Sequence, residues 1–344
     1  MAPVRFAVAG LKHFHILEFV KGISALAGSQ FVGFFDDDPQ LRSQYAAEFG
    51  VPAFDSIEAL VAFTEPEVVG VAVENGKKAD AICRLAALGC HVLADKPLVT
   101  TLEQLDQVED AAAKTGKQIG LMLTERYHGP TRAVRQKLLS GELGKLVNFT
   151  ALAPHKLRPE NHPKWMFTPD LYGGILNDLA IHSIDIVRWL WGSEPIAVTG
   201  SEGCLRFTEY PGFTDHAEVF LEFADSSTAM IRVDWLTPEP FPSHGDGRQF
   251  YECTSGTIEV LSAPDIHTLG EGTIRYDSWN RPRESIAPAS PPATLYEEFL
   301  ALCRGATQAE LLPVDGLRST RLTLHARDAA RIPRPRFSFA RKQA

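Results

Sequence analysis

Two short stretches carry residue types able to manage a proton and a developing negative charge. The first is His91-Val92-Leu93-Ala94-Asp95-Lys96-Pro97, an apolar run closed by an acid, a lysine and a proline. Proline has no N–H to give to a sheet, so a strand entering this run should stop there. Lys96 then stands at a strand's carboxyl end, the side on which open parallel α/β sheets bind ligands. An ammonium at that place can donate a hydrogen bond or a proton to a substrate oxygen; the plain alternative is a solvated surface lysine. The second stretch is Gly173-Gly174-Ile175-Leu176-Asn177-Asp178, with His182 following. Asp178 and His182 stand four apart in a helical pattern and are expected on one face near the helix N-terminus. A carboxylate beside an imidazole favours the imidazolium and can orient the ring, which suits a general base near neutral pH. Gly173 and Gly174 permit close approach of chain or ligand. The alternative is an acid–histidine pair kept for packing.

A third stretch reads as a place for a dinucleotide. Gly10-Leu11-Lys12-His13-Phe14-His15 follows the first apolar run. The dinucleotide fingerprint wants glycine at 10, 12 and 15, and only Gly10 fits. The setting is nevertheless strand, tight turn, helix, and a helix N-terminus attracts phosphate. Lys12 would bring positive charge to a pyrophosphate, although its Cβ hinders the close approach that glycine allows. An ordinary βα turn is the bland reading. The next strand ends in Phe35-Asp36-Asp37-Asp38. An acid here hydrogen-bonds an adenosine ribose. Three adjacent acids would repel a 2′-phosphate, so NAD(H) is favoured over NADP(H). Asp37 or Asp38 can also cap the helix that Pro39 opens.

The elements that must position these residues follow from periodicity. Strands are predicted at 6–9, 31–35, 68–73, 91–95 and 119–123, and helices at 14–26, 39–49, 77–88 and 101–114. Strand and helix alternating at this pitch imply right-handed βαβ units on a parallel sheet. After residue 124 the pattern changes. A helix at 130–140 leads to a strand at 145–153, then polar, Pro-rich sequence, then a helix at 176–191. Alternation of period two follows at 217–223, 229–235, 249–254 and 257–260, the pattern of an antiparallel sheet with one covered face. Helices at 295–303 and 316–331 close the chain. Two domains are expected, 1–124 and 125–332, with a loose or strapping tail at 333–344.

Composition narrows the function classes. The 344 residues carry a net charge of −9, which gives nucleic-acid binding no electrostatic support. Apolar residues make up 44%, enough for ordinary cores. The cysteines at 83, 90, 204, 253 and 303 have no CxxC spacing and read as reduced thiols of a cytoplasmic protein. No apolar run approaches the ~20 residues a membrane helix needs, and the short first apolar run, followed by Lys12, leads us to expect no export signal.

Together these pieces resemble the glucose–fructose oxidoreductase / inositol dehydrogenase / MocA family over most of the chain, most closely at 4–147 and 172–192. Asp95-Lys96-Pro97 is similar to the family's Glu-Lys-Pro motif, with aspartate for glutamate. Gly173-Gly174-x3-Asp178-x3-His182 matches its second motif. Phe34-Phe35-Asp36-Asp37-Asp38-Pro39 looks like its second strand end, and Arg126-Tyr127-His128 with Pro130 looks like its Arg-Phe-His-Pro stretch with one residue inserted. Lys12 and His15 depart from the glycine pattern. Glu74-Asn75 stands where the family usually has Pro-Asn, and Lys78 where it often has histidine.

The resemblance implies an N-terminal Rossmann-type doubly wound parallel sheet and a C-terminal open, mainly antiparallel sheet with helices on one face. It implies hydride transfer between a secondary alcohol of a sugar, polyol or sugar acid and a nicotinamide. His182 would take the hydroxyl proton. Lys96 would hydrogen-bond the same oxygen, and Asp178 would orient His182 or bind a neighbouring hydroxyl. Around the cofactor it places Gly10, Leu11, Lys12, Phe14, His15, Asp36, Val73, Glu74, Asn75, Asp95, Lys96 and Pro97; Arg126 and Tyr127 join the substrate side. The segment 154–165 is expected to line the pocket, with Trp165 against nicotinamide or a sugar face and His155 binding hydroxyls. Its basic side chains and histidines hint at an anionic substrate such as a sugar acid. Rival readings are an NAD-dependent glycoside hydrolase of the same fold, a non-catalytic dinucleotide or sugar sensor, and a metal hydrolase built on His13-x-His15 or on Asp178, His182 and Asp185. The last lacks an evident third ligand, so no metal is expected. A homodimer or homotetramer through the second sheet is expected, because uncovered sheet faces and edges are liabilities.

Overall fold

A computed structural model describes residues 3–261, 273–278 and 281–332. The tail expected at 333–344 lies outside them. The first sheet takes strands β1 (Val4–Ala9), β2 (Ser29–Phe35), β3 (Ala53–Phe54), β4 (Val68–Val71), β5 (His91–Ala94) and β6 (Ile119–Leu121). Their order is β3-β2-β1-β4-β5-β6, every pairing parallel. Strands covered on both faces read as continuous apolar runs, and Val68 to Val71 are buried without exception. Helices α1 (His15–Ser24), α2 (Pro39–Phe49), α3 (Ile57–Thr64), α4 (Lys78–Ala87) and α5 (Leu102–Thr115) cover the sheet. Local chemistry fixes their ends. Asp38 accepts from Gln40 and Leu41 N–H with Pro39 behind it, and Gly50 ends α2 in the left-handed region at φ +65°. Strand order reverses between β1 and β4, which puts the ligand crevice outside their carboxyl ends.

The second sheet is larger than the sequence pattern suggests. It holds β7 (Leu146–Pro154), β8 (Ala197–Gly203), β9 (His216–Glu222), β10 (Thr228–Asp234), β11 (Arg248–Cys253), β12 (Gly256–Leu261), β13 (Thr273–Ser278) and β14 (Arg281–Ile286). The order is β14-β13-β12-β11-β7-β10-β9-β8. All pairs are antiparallel except β7 with β10. Ala217, Val219 and Leu221 of β9 and Ala229, Ile231 and Val233 of β10 face the core; Phe220 and Met230 alternate outward and are half-exposed. Helices α6 (Gly129–Leu139), α7 (Pro169–Tyr172), α8 (Ile181–Trp191), α9 (Leu295–Cys303) and α10 (Pro313–Arg331) complete the fold.

Further features differ from the sequence pattern. The helix expected at 176–191 opens with a π turn over Leu176–Ala180 before α8 begins. Also, α9 and α10 do not belong to the second core alone. Leu295, Phe299, Leu300, Leu311 and Leu324 pack in the first core, while Ala326 packs in the second, so α10 ties the two layers together.

Candidate active site

Lys96 is delivered by the end of β5 and held from behind. The buried Lys78 ammonium donates to the carbonyls of Asp95 (2.8 Å) and Pro97 (2.9 Å), and burial pushes Lys78 down to about 8. From the other domain, the π turn presents Asp178. Lys96 Nζ donates to Asp178 Oδ1 at 2.5 Å and to its carbonyl at 3.2 Å. Tyr172 Oη donates to Asp178 Oδ2 at 2.9 Å and itself accepts from the Trp235 indole at 3.2 Å. Burial would raise the Asp178 carboxyl, but the Lys96 ammonium, His13 and the Tyr172 hydroxyl outweigh it and hold it down to about 2. Asp178 is 4% exposed and Lys96 8%, so this is a buried, fully bonded ion pair at the domain junction.

The junction itself is laced by backbone acceptors. Asn177 Nδ2 donates to Val99 O at 2.8 Å, Asn75 Nδ2 to Tyr172 O at 3.0 Å, and Arg327 to Thr100 O. Gly173 is required where it stands. Its φ is +87°, and a Cβ there would meet Thr100 Cγ2 at 2.6 Å.

Asp178 does not orient His182. Both Asp178 oxygens are taken by Lys96 and Tyr172, and the π turn widens the helix between the two residues, so α-helical i,i+4 stacking does not apply. His182 Nδ1 is buried with no hydrogen-bond partner among the described residues. Burial, then the charges of Lys96 and His15, hold the imidazole well below its ordinary value.

The dinucleotide turn combines a fit with a departure. Gly10 has φ +89°, and a Cβ there would sit 2.5 Å from Val73 N, so only glycine brings the turn this close to the end of β4. Asp36 is fully buried; its Oδ2 accepts from Leu11 N at 2.7 Å and its Oδ1 from Asp38 N at 2.8 Å. The glycine cradle, the adjacent start of α1 and an acid locked at the end of β2 fit a dinucleotide. Lys12 is drawn to the acids at the end of β2. Its ammonium lies 2.8 Å from Asp36 Oδ1 and 2.7 Å from Asp37 Oδ1. Burial would lower Lys12, but these two carboxylates outweigh it and raise it. Lys77 extends the chain of charges, 3.0 Å from Glu74 and 3.8 Å from Asp37. His15 and Asp95 turn toward each other at 3.1 Å, while Phe14 is 57% exposed.

Other expected contacts resolve differently. Arg126 is buried in a bidentate pair with Asp185, both arms at 2.7 Å, and also meets Glu310 O and Asp315, so its guanidinium is occupied within the protein. Tyr127 donates to Glu298 at 2.6 Å. Lys156 donates to the carbonyls of Glu239 and Phe241, and Arg158 pairs with Glu239, so these two cations are occupied within the protein. His155 does approach the pair. Its ring packs on Trp235 and His244, with centroids at 5.6 and 4.9 Å, and burial, then His244, push it down to about 4. His162 packs on the other side of this group, 5.8 Å from Trp235. Trp165 is half-buried with a partnerless indole N–H among the described residues. Tyr172 and Trp235 were missed because neither lies in a motif; only the three-dimensional meeting of the domains brings them to Asp178.

Comparison with known proteins agrees with this geometry. Residues 4–123 match an oxidoreductase family model with an NAD-binding Rossmann fold, and residues 131–259 match a GFO/IDH/MocA C-terminal domain model. D-xylose 1-dehydrogenase (NADP(+)) 2 of Haloferax volcanii is 26% identical over 285 residues, covering 81% of this chain and 82% of that protein. scyllo-Inositol 2-dehydrogenase (NAD(+)) of Bacillus subtilis is 26% identical over 243 residues, covering 68% of each. A crystal structure from Erwinia carotovora atroseptica superposes with a TM-score of 0.85 at 27% identity, covering 95% of this chain and 98% of that one. Among the described residues no helix is long and apolar enough to cross a membrane.

Proposed function

The chain belongs to the GFO/IDH/MocA oxidoreductase family, and from that premise we propose that it transfers a hydride between a secondary alcohol of a sugar, polyol or sugar acid and a nicotinamide dinucleotide. The relatives named as sugar and inositol dehydrogenases support the substrate class. The observation that carries the reading is the Lys96–Asp178 pair, buried at the domain junction beside His182 and His155.

The dinucleotide, when bound, supplies the hydride acceptor or donor. Gly10, the start of α1 and Asp36 would hold it, with Asp36 toward the adenosine ribose; the acids at the end of β2 favour NAD(H). Lys96 donates a hydrogen bond to the reacting oxygen and stabilises negative charge as it develops. Asp178 holds that ammonium in place through Oδ1 and its carbonyl. His182 is neutral at pH 7 and so has a lone pair free for the hydroxyl proton; Asp178 is the nearby carboxylate that offsets the imidazolium formed. His155 and Trp165 line the substrate side. The outward face of the second sheet, with Phe220 and Met230, supports assembly into a dimer or tetramer.

The test is a screen of polyols, neutral sugars and uronates with NAD⁺ and NADP⁺, reading reduced nicotinamide. Once a substrate is found, His182→Ala should lower turnover by about 10²–10⁴ with NADH binding retained. Unchanged turnover would remove His182 from the reaction.

A further inference from the structure

Three side chains meet beneath the dinucleotide turn. His13 comes from the turn, His15 from the first residue of α1, and Asp95 from the residue after β5. His15 Nδ1 lies 3.1 Å from Asp95 Oδ1 and His13 Nδ1 lies 2.7 Å from Asp95 Oδ2; the two imidazole centroids are 4.3 Å apart. One ligand atom from each residue falls within 4.8 Å of the others. We propose that His13, His15 and Asp95 form a binding site for one divalent first-row transition-metal ion.

Were Asp95 simply the acceptor of two imidazole N–H groups, both contacts would be aligned. Only the His15 contact is. His13 Nδ1 and Asp95 Oδ2 are buried, close together, and have no hydrogen-bond partner among the described residues. The 2.7 Å contact between these two buried atoms lacks hydrogen-bond alignment, and a cation bound by both would satisfy them together.

The donor set names the class of ion. Two imidazole nitrogens and one carboxylate oxygen suit Zn²⁺, Co²⁺, Fe²⁺ or Mn²⁺ at about 2.0–2.2 Å, whereas Mg²⁺ and Ca²⁺ prefer oxygen alone. The carboxylate is fixed: the Asp95 N–H bonds Val71 O at 2.9 Å and its carbonyl accepts from Lys78. Phe14 flanks the cluster, its ring 4.7 Å from His13 and 4.4 Å from His15. Three protein ligands leave further positions open. The rival idea of a metal hydrolase needed a third ligand for His13 and His15; Asp95 supplies it from a strand far away in sequence.

The experiment is a titration of tag-free, chelator-treated full-length protein with Co²⁺, read by visible d–d absorption, followed by displacement with Zn²⁺. The expected result is a saturable spectrum at about one ion per chain, abolished by Zn²⁺. His13→Ala and His15→Gln should each weaken binding by more than the roughly 10–100-fold that losing an outer-shell partner costs, with far-UV circular dichroism verifying the fold. Absence of saturable bands in the wild-type protein would overturn the proposal even if a variant failed to fold. Bands unchanged in both folded variants would overturn it equally.

Discussion

Replacing Lys96 by methionine takes an ammonium away from a carboxylate that is 4% exposed. Asp178 Oδ1 then has no donor in its place, and only the Tyr172 hydroxyl at 2.9 Å remains on Oδ2. Breaking one side of a buried ion pair costs about 3–5 kcal/mol, because the remaining charge stays uncompensated. Asp178→Asn is the mirror perturbation: the ammonium keeps the Asp178 carbonyl at 3.2 Å and loses the charge opposite. The double variant removes both charges, so its loss should fall well below the sum of the singles. A coupling of about 2 kcal/mol is expected, within the usual range for contacting residues. Urea unfolding read by circular dichroism measures it, with single-variant midpoints lowered by on the order of 1 M. Single losses under about 1 kcal/mol that simply add would refute the buried pair as the organiser of the site.

Other expectations follow from the same geometry. Lys12→Ala bares Asp36 and Asp37, so fluorescence titration should give NADPH weakened by about tenfold relative to NADH, as an unshielded acid pair repels a 2′-phosphate; an unchanged ratio would show that Lys12 does not act on the ribose end. Arg126→Met strands the buried Asp185 and should cost about 3–5 kcal/mol, seen as a lower thermal midpoint; a stability within 1 kcal/mol of wild type would contradict its structural role. His128 and His155 are both pushed down to about 4 by burial. The unfolded chain binds their protons near pH 6.5 and the folded chain only near 4, so stability is full above about 6.5 and falls as pH drops through that window. A His128→Asn, His155→Asn variant should show a flatter thermal midpoint between pH 7 and 4; an equally steep profile would assign the loss to other groups.

What the sequence makes legible is chemistry that acts locally. Asp38 and Pro39 announce α2, Pro97 ends the β5 segment, and Gly173 marks a backbone approach that a Cβ would block at 2.6 Å. What escapes is decided by partners far along the chain. Lys12 looks like a phosphate ligand until β2 brings Asp36 and Asp37 to it. Arg126 looks like a substrate contact until α8 supplies Asp185. The π turn leaves no mark in a pattern read at α-helical period, yet it frees Asp178 from His182 and gives it to Lys96. Strand β8 was not found because Thr199-Gly200-Ser201-Glu202 carries no apolar alternation, and β14 carries Pro282 at the sheet edge, where a missing N–H is tolerated. Helix α9 reads as part of the second domain because chain order says so, although Phe299 packs in the first core.

The most direct test of the account is titration of the purified, cofactor-stripped protein with NADH and NADPH, read by nicotinamide fluorescence. Saturable binding at about one dinucleotide per chain, tighter for NADH, is the predicted result, since Gly10 and Asp36 keep the cradle and the ribose acceptor in place. No saturable binding of either would contradict it, and would mean that Lys12 and His15 have closed the turn to the cofactor on which the proposed hydride transfer depends.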